Sequence, residues 1–189
     1  MKTIAHSIIC SSLLLFVPAV FAQQQTFAVN PESSAVAFGL NGTGHHVQGT
    51  FKVQSGSIMF DRTAQKISGS VAVNAGSGNS GEPSRDHKMS SDILDTLHFA
   101  EVSFVPQSYQ GTLAATGDST IQVTGIFTLH GTPHDLTVPV QVHIEGPNCT
   151  VKAHFSVPYV KWGLKDPSIF VLKVAKDVDI ELTLVGGLS

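Results

Sequence analysis

Cysteine is almost missing. Of the 189 residues only Cys10 and Cys149 carry a thiol, and Cys10 falls in an N-terminal segment that reads as removable. The remaining chain cannot form an internal disulfide, and a lone Cys149 is expected to be buried and inert. Charge is scarce as well, at 13%. Without Lys2 the basic count falls from 11 to 10 against 14 acids, a formal charge of 10 − 14 = −4, which gives no electrostatic footprint for nucleic acid. Beyond the N-terminus no apolar run approaches the ~20 residues of a membrane helix.

Catalytic signatures are also lacking. There is no GxSxG elbow and no HExxH. Gly76-Ser77-Gly78 leads into no GK[ST], so a phosphate cradle is excluded. Ser84, Asp86 and His87 are the residue types of a nucleophilic triad, but three members within four positions cannot orient one another in the required way. The expectation is a protein that is not an enzyme and requires no cofactor. Histidine is plentiful at 9: His45, His46, His87, His98, His130, His134, His143 and His154 lie outside the N-terminal segment. None has a diagnostic ligand spacing and Cys149 has no partner cysteine, so no metal site is assigned. A histidine-based metal-binding barrel without a lipid ligand stands as the alternative function.

What is present begins with a secretory signal. Lys2 supplies the positive start, Ile8 to Val20 the apolar stretch, and Val20-Phe21-Ala22 the small residues of a cleavage site. Residues 1–22 are therefore expected to be a signal peptide and 23–189 one mature domain. Ser7-Ile8-Ile9 lacks the small residue that precedes a lipidated cysteine at Cys10. Asn41 and Asn148 stand in Asn-x-Thr triplets, which matter only in a eukaryotic secretory pathway.

Period-two alternation dominates the mature chain. Ile121, Val123, Phe127 and Leu129 share one strand face; Leu136, Val138, Val140, Val142 and Ile144 share another. The HGTPH between them makes a hairpin. Further strands are expected at 34–40, 47–60, 67–73, 101–109, 151–159 and 170–184. A parity change near Gly56 predicts a bulge, and outward-facing Pro139 belongs at an edge or bulge. About eight strands with no helical repeat predict an all-β fold, an eight-stranded antiparallel barrel that has no free edge. A two-sheet sandwich is the architectural rival.

One segment breaks the pattern. Asn74 to Ser84 reads as a Gly- and Ser-rich loop, and Arg85 to Asp95, RDHKMSSDILD, spaces Met89, Ile93 and Leu94 about a turn apart. This predicts a short amphipathic helix with its apolar side turned inward over one end of the barrel. Arg85 and Asp86 are expected to pair with each other and with backbone, capping and tethering it.

RDHKMSSDILD followed by EVSFVP resembles the signature of the YceI-like family of bacterial periplasmic proteins. GTFKVQSGSIMFD (49–61), VTGIFTLHGTPHDLTVPV (123–140) and YVKWGLKDPS (159–168) follow the same family pattern in order, over nearly the whole mature chain. Ile93-Leu94 stands where aromatics are common, Trp162 where Phe is usual, and His130 where a basic residue is usual.

The resemblance implies a lipocalin-like barrel that holds a polyisoprenoid, an isoprenoid quinone or a fatty-acyl lipid in a tunnel, without catalysis, in the periplasm. On this reading the tunnel side chains are Phe38 and Phe51 from the early strands and Met89, Ile93 and Leu94 from the helix. Phe104, Ile121, Val123 and Phe127 follow, with Val140, Val142 and Phe155 from the later strands and Trp162 and Phe170 from the C-terminal part. Arg85, Asp86 and His87 stand at the mouth near a head group. The expected partners are the lipid itself and, transiently, a membrane surface or a periplasmic or redox membrane protein. Nucleic acid is not among them, and no oligomeric state is assigned. Burial of apolar chain at ~0.8 kcal/mol per methylene favours a long tail once association costs are met.

Overall fold

The computed structural model of the protein describes residues 24–189, so the signal peptide expected at 1–22 lies outside the described residues. Among the described residues nine strands run in chain order: β1 (Gln24–Val29), β2 (Ala35–Gly42), β3 (His45–Asp61), β4 (Lys66–Asn79), β5 (Glu101–Gln110), β6 (Gly117–Leu129), β7 (Thr132–Glu145), β8 (Asn148–Val157) and β9 (Val178–Leu188). Between β4 and β5 lies α1 (Pro83–Lys88), continued by a π-helical turn over Met89–Ile93.

Strands β2 to β9 form a closed, eight-stranded antiparallel barrel. Each pairs with its sequence neighbour, and β2 with β9 completes the ring. Closure leaves these strands without a shared open edge. The strand outside the ring, β1, fills a local gap: β2 pairs with β3 only as far as Val36–Phe51, and β1 takes over the second half of β3 from Ala28–Ser57 to Gln24–Asp61 while bonding the end of β9. Gly56 permits this close approach, since a Cβ there would lie 2.6 Å from Val29 Cγ2.

The alternation places side chains as expected. Ile121, Val123 and Leu129 of β6 and Val138, Val140, Val142 and Ile144 of β7 are buried, while Gln122, Gln141 and His143 are exposed. The β6–β7 turn is tighter than HGTPH suggested. His130 (φ 51) and Gly131 (φ 71) alone make it, the two left-handed residues of a type I′ hairpin. Phe99 covers Gly131, where a Cβ would come 2.5 Å from the Phe99 ring. Pro139 lies one residue outside the part of β7 that pairs with β8, where a missing N–H breaks no β7–β8 bond.

Four expectations are corrected. The parity change in β3 occurs at Gln54, the extra residue between the Val53–Val73 and Ser55–Ala72 pairs, two positions before Gly56. Strand β4 continues to Asn79, through the Gly- and Ser-rich stretch expected to be loop. The last strand starts at Val178, so Phe170 to Asp177 belongs to a long β8–β9 connection. Finally, Arg85 and Asp86 do not cap α1: Glu82 does, accepting from the backbone N–H of Ser84 and Arg85 at 3.1 and 2.7 Å.

The two ends of the barrel differ. The lower end carries β1, the β3–β4 and β7–β8 turns and the β5–β6 loop. The upper end carries the β2–β3 and β6–β7 turns, the helical segment and the long β8–β9 connection. This asymmetry positions the site.

Candidate functional site: a tunnel through the barrel

The barrel is hollow. A cavity of about 840 Å³ runs along its interior, and among the described residues no large side chain is less than 2% exposed. In a filled core the inward residues would interlock and lose their last accessible surface. At ~30 Å³ per small group, the space takes on the order of 25 non-hydrogen atoms.

Its wall is graded from end to end. Phe27, Phe60, Tyr109, Cys149 and Leu184 line the lower end and are all buried. Tyr109 ties that end shut, its hydroxyl donating to the Asp61 carbonyl at 3.1 Å. The Cys149 thiol points into the same apolar space, and burial pushes its pKa up to about 11, so it is a neutral lining group at ordinary pH. The middle is aliphatic and aromatic. Polar groups gather at the upper end: Asn41 and His45 from the β2–β3 turn, Ser80, Glu82, Arg85 and Lys88 from the helical segment, and Lys165, Asp166 and Ser168 from the β8–β9 connection. His45, Lys88 and Lys165 are exposed as well as lining, so the cavity reaches solvent there.

The helical segment presents one face to this opening. Arg85, Lys88, Met89 and Asp92 line the cavity, at the i, i+3, i+4, i+7 spacing of a single helix face. Ile93 and Leu94 continue inward and pack with Leu129, Val157, Tyr159 and Leu164. Met89 lies over Gly78 of β4, where a Cβ would also stand 2.8 Å from the Phe51 ring. Small residues in β4 thus make room for the helix. The expected Arg85–Asp86 pair is replaced by a shared hold on Ser80. Arg85 Nε donates to Ser80 Oγ at 2.7 Å and Nη2 to its carbonyl at 2.9 Å, while Asp86 Oδ1 accepts from Ser80 N at 2.8 Å and from its hydroxyl.

Of the side chains assigned to the tunnel from sequence, Phe38, Phe51, Met89, Ile93, Leu94 and Phe104 line the cavity, as do Ile121, Val123, Phe127, Val140, Val142 and Phe155. Trp162 and Phe170 do not. Trp162 belongs to a tight turn in which Leu164 N–H donates to the Tyr159 carbonyl at 3.0 Å. Tyr159 and Leu164 take the buried positions of that turn, and Trp162 stacks on His134 at 4.1 Å between ring centroids, with an interplanar angle of 5°. Phe170 is 94% exposed at the tip of the β8–β9 connection. At the mouth Arg85 is in place, but Asp86 faces Ser80 and neither it nor His87 lines the opening, because both are rotated off the helix face that carries Arg85 and Lys88.

Sequence reasoning missed Tyr159 and Leu164, which sit in a loop without periodicity. Cys149 is buried, as expected, but its place on the cavity wall was missed, although Cys149, Val151, Ala153 and Phe155 alternate on one face of β8 and parity alone points the thiol inward. Tyr159 donates its hydroxyl to the Ala175 carbonyl at 2.8 Å. Burial, with Asp166 and Asp177 adding to it, pushes its pKa up to about 12.

The histidines disperse. His98 bonds Asp95 at 2.8 Å and His143 bonds Asp118 at 2.7 Å, and among the described residues no three His, Cys, Asp or Glu side chains converge as a metal-holding group.

Comparison with known proteins gives a consistent result. The YceI-like domain profile matches residues 27–186. A UPF0312 protein of Shewanella sp. (strain MR-4) is 31% identical over 159 residues, covering 80% of this chain and 80% of that protein. One of Pseudomonas fluorescens (strain SBW25) is 29% identical over 149 residues, covering 75% and 73%. Among solved structures, Burkholderia cenocepacia BcnA superposes with a TM-score of 0.68 at 23% identity, over 84% of this chain and 99% of that one. A polyisoprenoid-binding domain from Saccharophagus degradans, implicated in plant cell wall breakdown, gives 0.65 at 15% identity, over 86% and 98%. These two likenesses concern the fold.

Proposed function

Since the chain belongs to the YceI-like domain family, we propose that it binds one amphiphile with a long apolar tail, a polyisoprenoid, isoprenoid quinone or fatty-acyl lipid, inside the barrel, and carries or stores it. The observation that carries this reading is the graded cavity: buried and apolar at the lower end, polar and solvent-reaching at the upper. Such a wall suits a molecule with one apolar and one polar end. The polyisoprenoid-binding domain with the same fold lends support to the isoprenoid class.

The energetics favour a long chain. Ten methylene-sized groups moved from water into the cavity contribute ~8 kcal/mol gross, offset by association and ordering costs of several kcal/mol. Each further isoprene unit strengthens binding until the tail meets Phe27, Phe60 and Tyr109. The head group then lies among Arg85, Lys88 and Asp92, where it keeps its contact with water. The proposal is one of binding without catalysis, and it puts the protein in the periplasm on the strength of the N-terminal sequence.

The test is native mass spectrometry of protein purified without detergent, before and after organic extraction. A discrete adduct lost on extraction, or restored by an isoprenoid or fatty-acyl probe, is the expected result. A bare protein that takes up neither probe would overturn the reading.

A further inference from the structure

The least soluble-looking part of the molecule is at the tunnel mouth. Ile169, Phe170, Val171 and Leu172 are consecutive, and their exposures are 57%, 94%, 69% and 46%. They form the tip of the β8–β9 connection, closed by an Ile169 N–H bond to the Leu172 carbonyl at 2.9 Å. The tip is firmly mounted. Thr43 N–H donates to the Lys173 carbonyl at 2.8 Å and Lys173 N–H to Thr43 Oγ1 at 3.0 Å. Ala175 N–H donates to the Asn41 carbonyl at 2.7 Å and Val174 N–H to Ser168 Oγ at 2.9 Å. A segment held this firmly to the β2–β3 turn presents its apolar side chains outward instead of folding them away. Ile169 both lines the cavity and faces solvent, which ties the tip to the mouth. Leu97, 95% exposed, projects at the same barrel end from the segment that leads into β5, whose Phe99 packs against Gly131 of the β6–β7 turn.

The charge behind this tip is of one kind in excess. Residues 161–177 hold Lys161, Lys165, Lys173 and Lys176 against Asp166 and Asp177, and all four lysines are exposed. The chain as a whole is acidic, at −3, so the sign is reversed within the connection that carries the apolar residues.

From this juxtaposition we infer that the 165–176 loop docks the barrel, mouth first, on an anionic lipid surface: Phe170 and its apolar neighbours enter the headgroup layer and the lysines contact acidic headgroups. The dimensions fit that occupant better than a protein. A stable protein interface covers ~800 Å² per partner with a packed apolar centre, whereas four apolar residues backed by cations match the requirement of interfacial insertion. Docking at the mouth also lets an apolar tail pass from bilayer to tunnel without exposure to water, a transfer that water opposes. In this last respect the inference rests on the proposed binding of a long-tailed lipid; the docking itself does not.

The experiment is vesicle co-sedimentation of the mature protein with phosphatidylcholine vesicles and with equal mixtures of phosphatidylcholine and phosphatidylglycerol. Wild type is expected to partition onto the mixed vesicles. Phe170→Ser is expected to lower partitioning about tenfold through lost apolar insertion. Lys165→Gln with Lys173→Gln should lower it severalfold on mixed vesicles only. Phe170 and the lysines are exposed, so these variants keep the fold, checked by an unchanged melting temperature. Wild type that stays in the supernatant, or Phe170→Ser that sediments like wild type, overturns the inference. So does a concentration-dependent dimer lost in Phe170→Ser without vesicle binding, which assigns the tip to a second copy. Uptake of an isoprenoid probe from cyclodextrin, measured in parallel, separates the two readings. Wild type that docks but takes up no probe retires the tunnel proposal and leaves docking standing; Phe170→Ser that takes up probe normally from cyclodextrin but poorly from vesicles supports both.

Discussion

Arg85 grips Ser80 twice, from Nε to the hydroxyl at 2.7 Å and from Nη2 to the carbonyl at 2.9 Å. This ties the first turn of the helix to the end of β4, on the side where the cavity opens. Charge here sets the position of a cover.

Replacing Arg85 with Ala is expected to free that cover and to remove one polar side chain from the mouth, while leaving the apolar wall below it intact. Dissociation of a bound fluorescent lipid should quicken about tenfold, equivalent to ~1.4 kcal/mol. That is the low end for hydrogen bonds to a charged donor, as suits a group only partly buried. Stopped-flow displacement measures it, and an unchanged off-rate would show that the helix does not control exchange. Preference among tail lengths should stay the same.

Phe104 and Phe127 face each other across the β5–β6 pair and both line the cavity. Phe104→Trp or Phe127→Trp adds volume inside the tunnel. Each is expected to shorten the longest isoprenoid retained, at an overpacking cost of ~1–3 kcal/mol in stability. A ladder of probes of increasing chain length reads the cut-off, and an identical cut-off in both variants counts against an interior site.

Cys149 offers a pH signature. Its pKa rises from the ordinary 9.0 to about 11 because the thiol is buried. The folded protein therefore holds this proton more tightly than the unfolded chain does. The corresponding stability is fully present below pH 9.0 and is lost as pH climbs toward about 11. Tyr159, raised from 10.0 to about 12, acts in the same direction at slightly higher pH, so the comparison of wild type with Cys149→Ala isolates the thiol. Melting temperature should fall more steeply for wild type over that window. Alkylation of Cys149 near neutral pH should be slow, and slower with a lipid in the tunnel; equal rates with and without lipid would place the tail elsewhere.

Gly56→Ala tests the attachment of β1. The new methyl would meet Val29 at 2.6 Å and push β1 from the second half of β3. A loss of ~1–3 kcal/mol is expected, with faster amide hydrogen exchange along β1 than along the barrel strands. Uniform exchange in all strands would show that β1 is integral to the ring.

Much of this protein was legible in its residues. The alternation in β6 and β7 follows from the pleat, which sends neighbouring side chains to opposite faces. It placed Ile121, Val123, Val140 and Val142 inside before any pairing was known. The spacing of Met89 and Ile93 likewise marked the helix and its inward side. Even the place of Cys149 on the cavity wall was readable from the parity of β8.

What the residues could not settle is whatever depends on how distant segments meet. Trp162 and Phe170 read as tunnel residues because both are large and apolar. Their places were set by a loop without periodicity, whose Tyr159 and Leu164 take the buried positions while Phe170 is carried outward on a tip bonded to Thr43, 130 residues away in sequence. Arg85 and Asp86 read as a pair, yet side chains adjacent in sequence leave a helix in different directions, and both found Ser80. Hollowness is the deepest case. Composition is nearly the same for a filled barrel and an empty one, and only the distance across the closed ring decided that the inward side chains stop short of one another and leave a tunnel between them.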